Sequence, residues 1–150
     1  MEKGQKNTLI IRHASNADAA NIAVLSGQLG YPATAEQMAL RLDRLEKSEN
    51  QVVFVAETPQ AELVGWIHVS ITPHLIADGG AEVEALVVAE GARQRGVGQA
   101  LMEKAEQWAR QKGCVLVYLR SNVIRHDAHA FYEHLGYEHT KSQRMYQKRL

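Results

Sequence analysis

Ala81-Glu82-Val83-Glu84-Ala85-Leu86-Val87-Val88 is an apolar, β-branched run, and it leads through Arg93-Gln94-Arg95-Gly96-Val97-Gly98 into the amphipathic stretch from Gly96 to Lys112. The first part predicts a strand. In the last part Leu101, Ala105, Trp108 and Ala109 recur at helical spacing, which predicts a helix with those residues inward. Val115 to Leu119 then reads as a buried strand. Strand, helix, strand in one short span predicts a crossover unit whose two strands run parallel.

Upstream, Thr8 to His13 reads as a first strand, and Asn16 or Asp18 caps a helix from about Ala19 to Gly30. Thr34 and Gln37 form a capping-box pattern ahead of a second helix, carrying Met38, Leu42 and Leu45 and ending near Ser48. Gln51 to Thr58 and Glu62 to Thr72 are β-branched runs joined by Pro59-Gln60-Ala61, a link short enough only for a hairpin. Pro73 to Gly80 reads as a loop, His126 to Leu135 as a last helix ended by Gly136, and Tyr137 to Leu150 as one or two terminal strands. The expected fold is α/β: a mixed, mostly antiparallel sheet with one parallel β-α-β crossover and helices on both faces. Residues 1–7 are expected to be a disordered tail and residues 8–150 a single domain.

Composition narrows the function classes. The 150 residues hold 17 Lys+Arg against 17 Asp+Glu, so no global field draws the chain to nucleic acid or to an anionic membrane. A small-molecule or peptide ligand fits better. The single cysteine, Cys114, cannot form an intrachain disulfide, and no run has the length and hydropathy of a signal peptide or membrane span. A soluble, cytoplasmic protein is expected.

The glycine turn carries the chemistry. Gly96 and Gly98 let backbone N–H groups approach a bulky anion, the start of a helix favours negative charge, and Arg93 and Arg95 add cations. This is a pyrophosphate-binding pattern. A P-loop would follow its last glycine with Lys-Ser/Thr, whereas Gly98 is followed by Gln99-Ala100. A dinucleotide fingerprint would need a third glycine and an acidic residue after the next strand, whereas that strand ends Leu119-Arg120-Ser121-Asn122. A plain strand-to-helix turn with solvated arginines remains the alternative.

Arg-x-x-Gly-x-Gly after this strand, followed by Asn122 and by Ala130-Phe131-Tyr132-Glu133-His134-Leu135-Gly136-Tyr137, resembles the GNAT N-acetyltransferase family, and the predicted element order matches that fold. The resemblance implies acetyl-CoA as co-substrate. It implies that Arg93, Gln94, Arg95, Gly96, Val97, Gly98 and Gln99 hold the pyrophosphate. The pantetheine arm is then expected along the backbone of Leu86, Val87 and Val88, between splayed parallel strands, with Asn122 meeting it or the acceptor and the Leu86 N–H facing the oxyanion. By the same resemblance Glu82 aligns with a general base and Tyr132 with the group that protonates the leaving thiolate.

The residues alone leave other roles open. Glu82 and Glu84 alternate onto one strand face, where they suit proton transfer, acceptor binding or plain solvent exposure, and Glu84 is assigned to substrate binding. Tyr132 also suits helix-to-sheet packing. His126, His129 and His134 share a helix without a His-Glu-x-x-His pattern or a cysteine partner, so no metal site is expected. His68 and His74 suit either the lining of the acceptor cleft or a structural role, and Trp66 and Trp108 are expected in the core. An N-acetyltransferase acting by direct transfer in a ternary complex is the leading reading, and a catalytically degenerate CoA-binding sensor or scaffold is the alternative. The acceptor amine and the oligomeric state stay open, a homodimer being among the states the resemblance suggests.

Overall fold

The computed structural model describes residues 8–93 and 95–150, so the expectations for residues 1–7 and for Gln94 lie outside the described residues. The chain divides into two compact units, one ending at Leu119 and one spanning Arg120–Leu150.

The first unit is built on a five-stranded sheet in the order β1-β2-β3-β4-β5. β1 (Ile10–His13), β2 (Gln51–Glu57), β3 (Leu63–Ile71) and β4 (Ala81–Val88) pair antiparallel in sequence order, and β5 (Val117–Leu119) joins β4 in parallel. The sequence expectation of a mixed sheet with one crossover holds. α3 (Val97–Gln111) makes that crossover, and α1 (Ala19–Gln28) and α2 (Ala35–Glu46) lie between β1 and β2.

Alternation along the strands sends side chains to two faces. On one face, Val55 packs with Ala19, Ile22 and Ala23 of α1 and Met38 of α2, with Trp66 against them. On the other, α3 lies on the row that contains Gly65 and Ile67. A Cβ on Gly65 would stand 2.9 Å from Val97 Cγ1, 3.0 Å from the Val87 carbonyl oxygen and 3.1 Å from Leu101 Cδ1. A glycine is therefore what lets the start of α3 sit down on the sheet. Helices cover both faces, as the pattern predicted.

Local signals explain most boundaries. The Thr34 hydroxyl accepts the Gln37 N–H at 3.0 Å and Gln37 Oε1 accepts the Thr34 N–H at 3.0 Å, completing the predicted capping box. Asp18 stands at the N-cap of α1, after a 3-10 turn at Asn16–Asp18. It accepts the Ser15 N–H and two bonds from Arg12 at 2.8 and 2.9 Å, while Arg12 also reaches Glu57 at 3.1 Å. One guanidinium thus ties β1, β2 and the start of the helical layer together.

Two expectations need correction. The strand predicted at Val115 to Leu119 is shorter, Val117–Leu119, and only half-buried, with Val115 89% exposed, because it is the outermost strand of the sheet. The second unit holds α4 (His126–His134), but the strands predicted from Tyr137 to Leu150 are absent among the described residues. From Glu138 to Arg149 nearly every residue is polar, so the segment has no alternating apolar face to bury, and its Met145 and Tyr146 are exposed. No helix among the described residues is long and apolar enough to cross a membrane.

Candidate functional site

β4 places five of the sequence-predicted site residues, Glu82, Glu84, Leu86, Val87 and Val88, on one rod. Its ladder with β5 is only three pairs long and ends at Val83 and Leu119, so from Glu84 to Val88 its outer edge pairs with no strand among the described residues. The hydrogen-bond phase of that edge follows from one contact. The Ala89 N–H donates to the Val64 carbonyl on β3, so by alternation Val87 also turns its N–H inward, and Leu86 and Val88 turn theirs to the open edge. Unpaired strand donors of this kind are a template for an extended amide-bearing ligand.

A break in register sets the carboxylates. Val69 pairs with Val83 and His68 with Ala85, leaving Glu84 as an extra residue on β4, a bulge that the sequence did not announce. Glu82, half-buried, lies opposite Ser70. Glu84 is exposed, and its Oε1 accepts the hydroxyl of the buried Ser70 at 2.5 Å. Ser70, His68 and Trp66 alternate onto the α1/α2 face, so both glutamates belong to that face.

Beyond β4 a 3-10 turn at Glu90–Ala92 leads to exposed Arg93 and Arg95. Gly96 caps α3 at φ 79, ψ 9, and nothing lies within 4 Å of where its Cβ would be. That left-handed conformation suits glycine. Among the described residues no side chain caps this helix and no acid stands in its first turn. The first bond inside the helix runs from the Ala100 N–H to the Gly96 carbonyl at 3.0 Å, so the N–H groups of Val97, Gly98 and Gln99 precede the helical ladder and point along its axis. A pyrophosphate fits this turn: donors, a positive dipole end, two cations and open space coincide there. Gln94 lies outside the described residues.

In the second unit, Asn122 folds back on its own loop: its Oδ1 accepts the Ile124 N–H at 3.1 Å and its carbonyl accepts His129 Nε2 at 2.9 Å. Tyr132 is half-buried on α4, between Phe131 and Tyr137 at ring separations of 5.1 and 6.2 Å. Burial pushes its phenol above the ordinary value, against a smaller opposing pull from Arg125. The ring therefore keeps its proton at neutral pH.

The α1/α2 face holds a feature missed by the sequence reading. A cavity of about 320 Å³ lies under the helices, walled by Ile22, Met38, Leu42, Leu45, Val53 and Trp66, with Arg41, Arg44 and His68 completing the lining. Its size lies at the lower end of small-ligand sites. His68 Nε2 donates to Gln51 Oε1 at 2.6 Å, and burial lowers the ring's pKa, opposed by the charge of Glu84. Trp66 packs against the buried cluster as a half-buried residue and also walls this cavity, and its buried Nε1–H meets no acceptor among the described residues. Trp108 is core, as expected. Arg41 and Arg44 stand three apart on α2, the one sequence signal of this site.

The profile of the acetyltransferase (GNAT) family matches residues 19–137. The chain is 31% identical over 134 residues to aminoalkylphosphonate N-acetyltransferase of Salmonella typhimurium, covering 85% of this chain and 84% of that protein. It is 38% identical over 65 residues to aminoglycoside N(6')-acetyltransferase type 1 of Klebsiella aerogenes, 41% of this chain and 43% of that one. The fold is also similar to that of AAC(6')-Iy in complex with the bisubstrate analogue CoA-S-monomethyl-acetylneamine, with a TM-score of 0.83 at 20% identity over 95% of this chain and 99% of that one.

Proposed function

The chain belongs to the GNAT family and is an acetyl-CoA-dependent N-acetyltransferase, and on that premise we propose direct transfer of the acetyl group to a small primary amine within one ternary complex. The observation that carries this reading is the continuity of the open β4 edge with the uncapped start of α3. Bound there, acetyl-CoA supplies a thioester whose acetyl group passes to nitrogen as the free thiol leaves.

The chain's own residues divide the remaining work. The N–H groups of Val97, Gly98 and Gln99, with Arg93, Gln94 and Arg95, bind the pyrophosphate. Leu86 and Val88, whose N–H groups face the open edge, hold the pantetheine arm by backbone contacts while Val87, expected to share that role, keeps its N–H on β3; Asn122 adds a polar contact, and the outward Leu86 N–H faces the carbonyl oxygen as it gains charge. Glu84 binds the ammonium form of the acceptor, and Glu82 takes its proton so that nitrogen presents a lone pair. Tyr132, kept protonated by its burial, returns a proton to the departing sulfur. Direct transfer is supported by the position of the single cysteine: Cys114 follows the C-terminal end of α3, about 22 Å of helix away from the glycine turn.

Aminoalkylphosphonate and aminoglycoside transferases among the relatives support a small amine acceptor. The family match runs across the boundary at Leu119, which supports one functional domain from residue 8 to residue 150. The balanced charge and lone cysteine favour the cytoplasm. The test is thermal unfolding with and without acetyl-CoA, followed by thiol release with a panel of amines. Stabilisation by acetyl-CoA but not ATP, with amine-dependent thiol release, is expected. Stabilisation without thiol release for any amine overturns the catalytic reading.

A further inference from the structure

The cavity on the α1/α2 face is mostly apolar, yet its polar chemistry is one-sided. Arg41 and Arg44 line it from α2, three residues apart and hence on neighbouring rows of that helix, and neither forms an ion pair among the described residues. The nearby carboxylate of Asp43 is already occupied by Asn16 Nδ2 at 2.6 Å. His68 spends its Nε2–H on Gln51, and the Trp66 indole N–H lacks an acceptor. Guanidinium donors have no acceptor capacity, so an anion is the ligand group that suits Arg41 and Arg44. The opposite sign stands along the same sheet face: Glu84 of β4 is bonded to Ser70, Glu82 lies opposite Ser70, and Ser70 is two residues along β3 from His68. That spacing along a strand is about 7 Å.

We propose that the acceptor is a zwitterion: a primary amine that also carries an acid group, with Arg41 and Arg44 binding the acid while the amine faces Glu82 and Glu84. The inference rests on the acetyltransfer reading of the same site and adds the acceptor's charge pattern. An ammonium beside the glutamates and an oxyacid beside the arginines each find a partner of opposite sign, and the aliphatic spacer between them fits the apolar wall of Ile22, Met38 and Leu42. A polycation such as a polyamine would bring like charge against both arginines. The shared chemistry is an oxyacid, carboxylate or phosphonate, and the two forks of Arg are suited to either.

Two measurements test this on the full chain. The first is calorimetric titration of the CoA-loaded protein with β-alanine, aminoethylphosphonate, propylamine and spermidine. Binding by one or both acid-bearing amines, at least about tenfold tighter than propylamine, is expected, and the stronger of the two identifies the acid. The second is thiol release from acetyl-CoA with the same amines, using R41Q, R44Q and the double variant. Both arginines are exposed, and an unchanged thermal shift with acetyl-CoA verifies that each variant is folded. Each single variant should raise KM for the acid-bearing acceptor about tenfold with kcat retained, and the double variant should no longer distinguish it from propylamine. Thiol release with propylamine or spermidine at or above the rate of the acids overturns the zwitterion while leaving acetyltransfer intact. Unchanged KM in R41Q and R44Q, or no binding of either acid at millimolar concentration, does the same. Arginine-dependent binding of the acid without thiol release for any amine keeps the acid site and overturns the transferase reading instead.

Discussion

The glycine turn and the helix-covered cavity are built in opposite ways. The turn uses residues that follow one another: β4, Arg93, Gly96, Gly98 and the first turn of α3 form one stretch of chain whose geometry is set by local rules. The cavity collects Ile22 from α1, Arg41 and Arg44 from α2, Val53 from β2 and His68 from β3, residues that meet only because the hairpin and the helices pack. A contiguous site suits what every turnover shares, the cofactor. A site assembled across elements changes with each loop and helix, and so suits the variable partner, the acceptor. Substitutions on the β4 and cofactor side should therefore act on every acceptor alike, and those on the cavity side should be acceptor-specific.

Glu82→Gln should give the largest loss, about two to four orders of magnitude in kcat/KM near neutral pH, for every amine. The loss should shrink as pH rises, because solvent then delivers more neutral amine. Glu84→Gln should instead raise KM with kcat retained. Parallel pH–rate profiles of the two variants decide this; a raised KM for Glu82→Gln with kcat intact at every pH makes Glu82 a binding group.

Tyr132→Phe should lower turnover by about tenfold to a thousandfold while acetyl-CoA affinity stays the same, since only the leaving-group proton is lost. Full turnover in the variant would assign Tyr132 to packing with Phe131 and Tyr137.

Gly98→Val should cancel the stabilisation by acetyl-CoA, about 2.7 kcal/mol at roughly a hundred times its dissociation constant, because a branched side chain stands between phosphate and the helix N–H groups. Normal cofactor binding in this variant reduces the turn to a turn.

Gly65→Ala tests whether the sheet positions that turn. Its Cβ would meet the Val87 carbonyl at 3.0 Å and Val97 at 2.9 Å, and a backbone oxygen has little freedom to retreat. A cost of about 1–3 kcal/mol is expected in denaturant unfolding, with weaker acetyl-CoA binding as the start of α3 lifts. Wild-type stability would mean that α3 slides freely over β3.

The smallest effect belongs to the cavity side. Burial holds the folded His68 pKa below its ordinary 6.5, opposed by Glu84. Above that pH the ring is neutral whether folded or unfolded, and the fold keeps its full stability. As pH falls through 6.5 toward the folded value, the unfolded chain takes up a proton that the folded ring refuses, so stability declines. His68→Gln should flatten that acid-side slope in unfolding midpoints measured between pH 7 and pH 5; an unchanged slope assigns it to other groups.

What the sequence determined by itself is what local rules encode. The Thr34–Gln37 capping box, the hairpin at Pro59-Gln60-Ala61, the crossover of α3 and the glycine turn each depend on neighbours within a few positions, and each stands where the residues put it. The terminal strands expected after Tyr137 do not form, for the complementary reason: a strand exists only if a partner and a buried face exist, and this polar run offers no such face among the described residues. Only the tertiary structure decided the bulge at Glu84, the close seat of α3 over Gly65 and the joining of Arg41, Arg44, Trp66 and His68 around one cavity. Those depend on which residue of a distant strand or helix stands opposite, and a one-residue change of register reverses every side chain's face without leaving a mark in the local pattern.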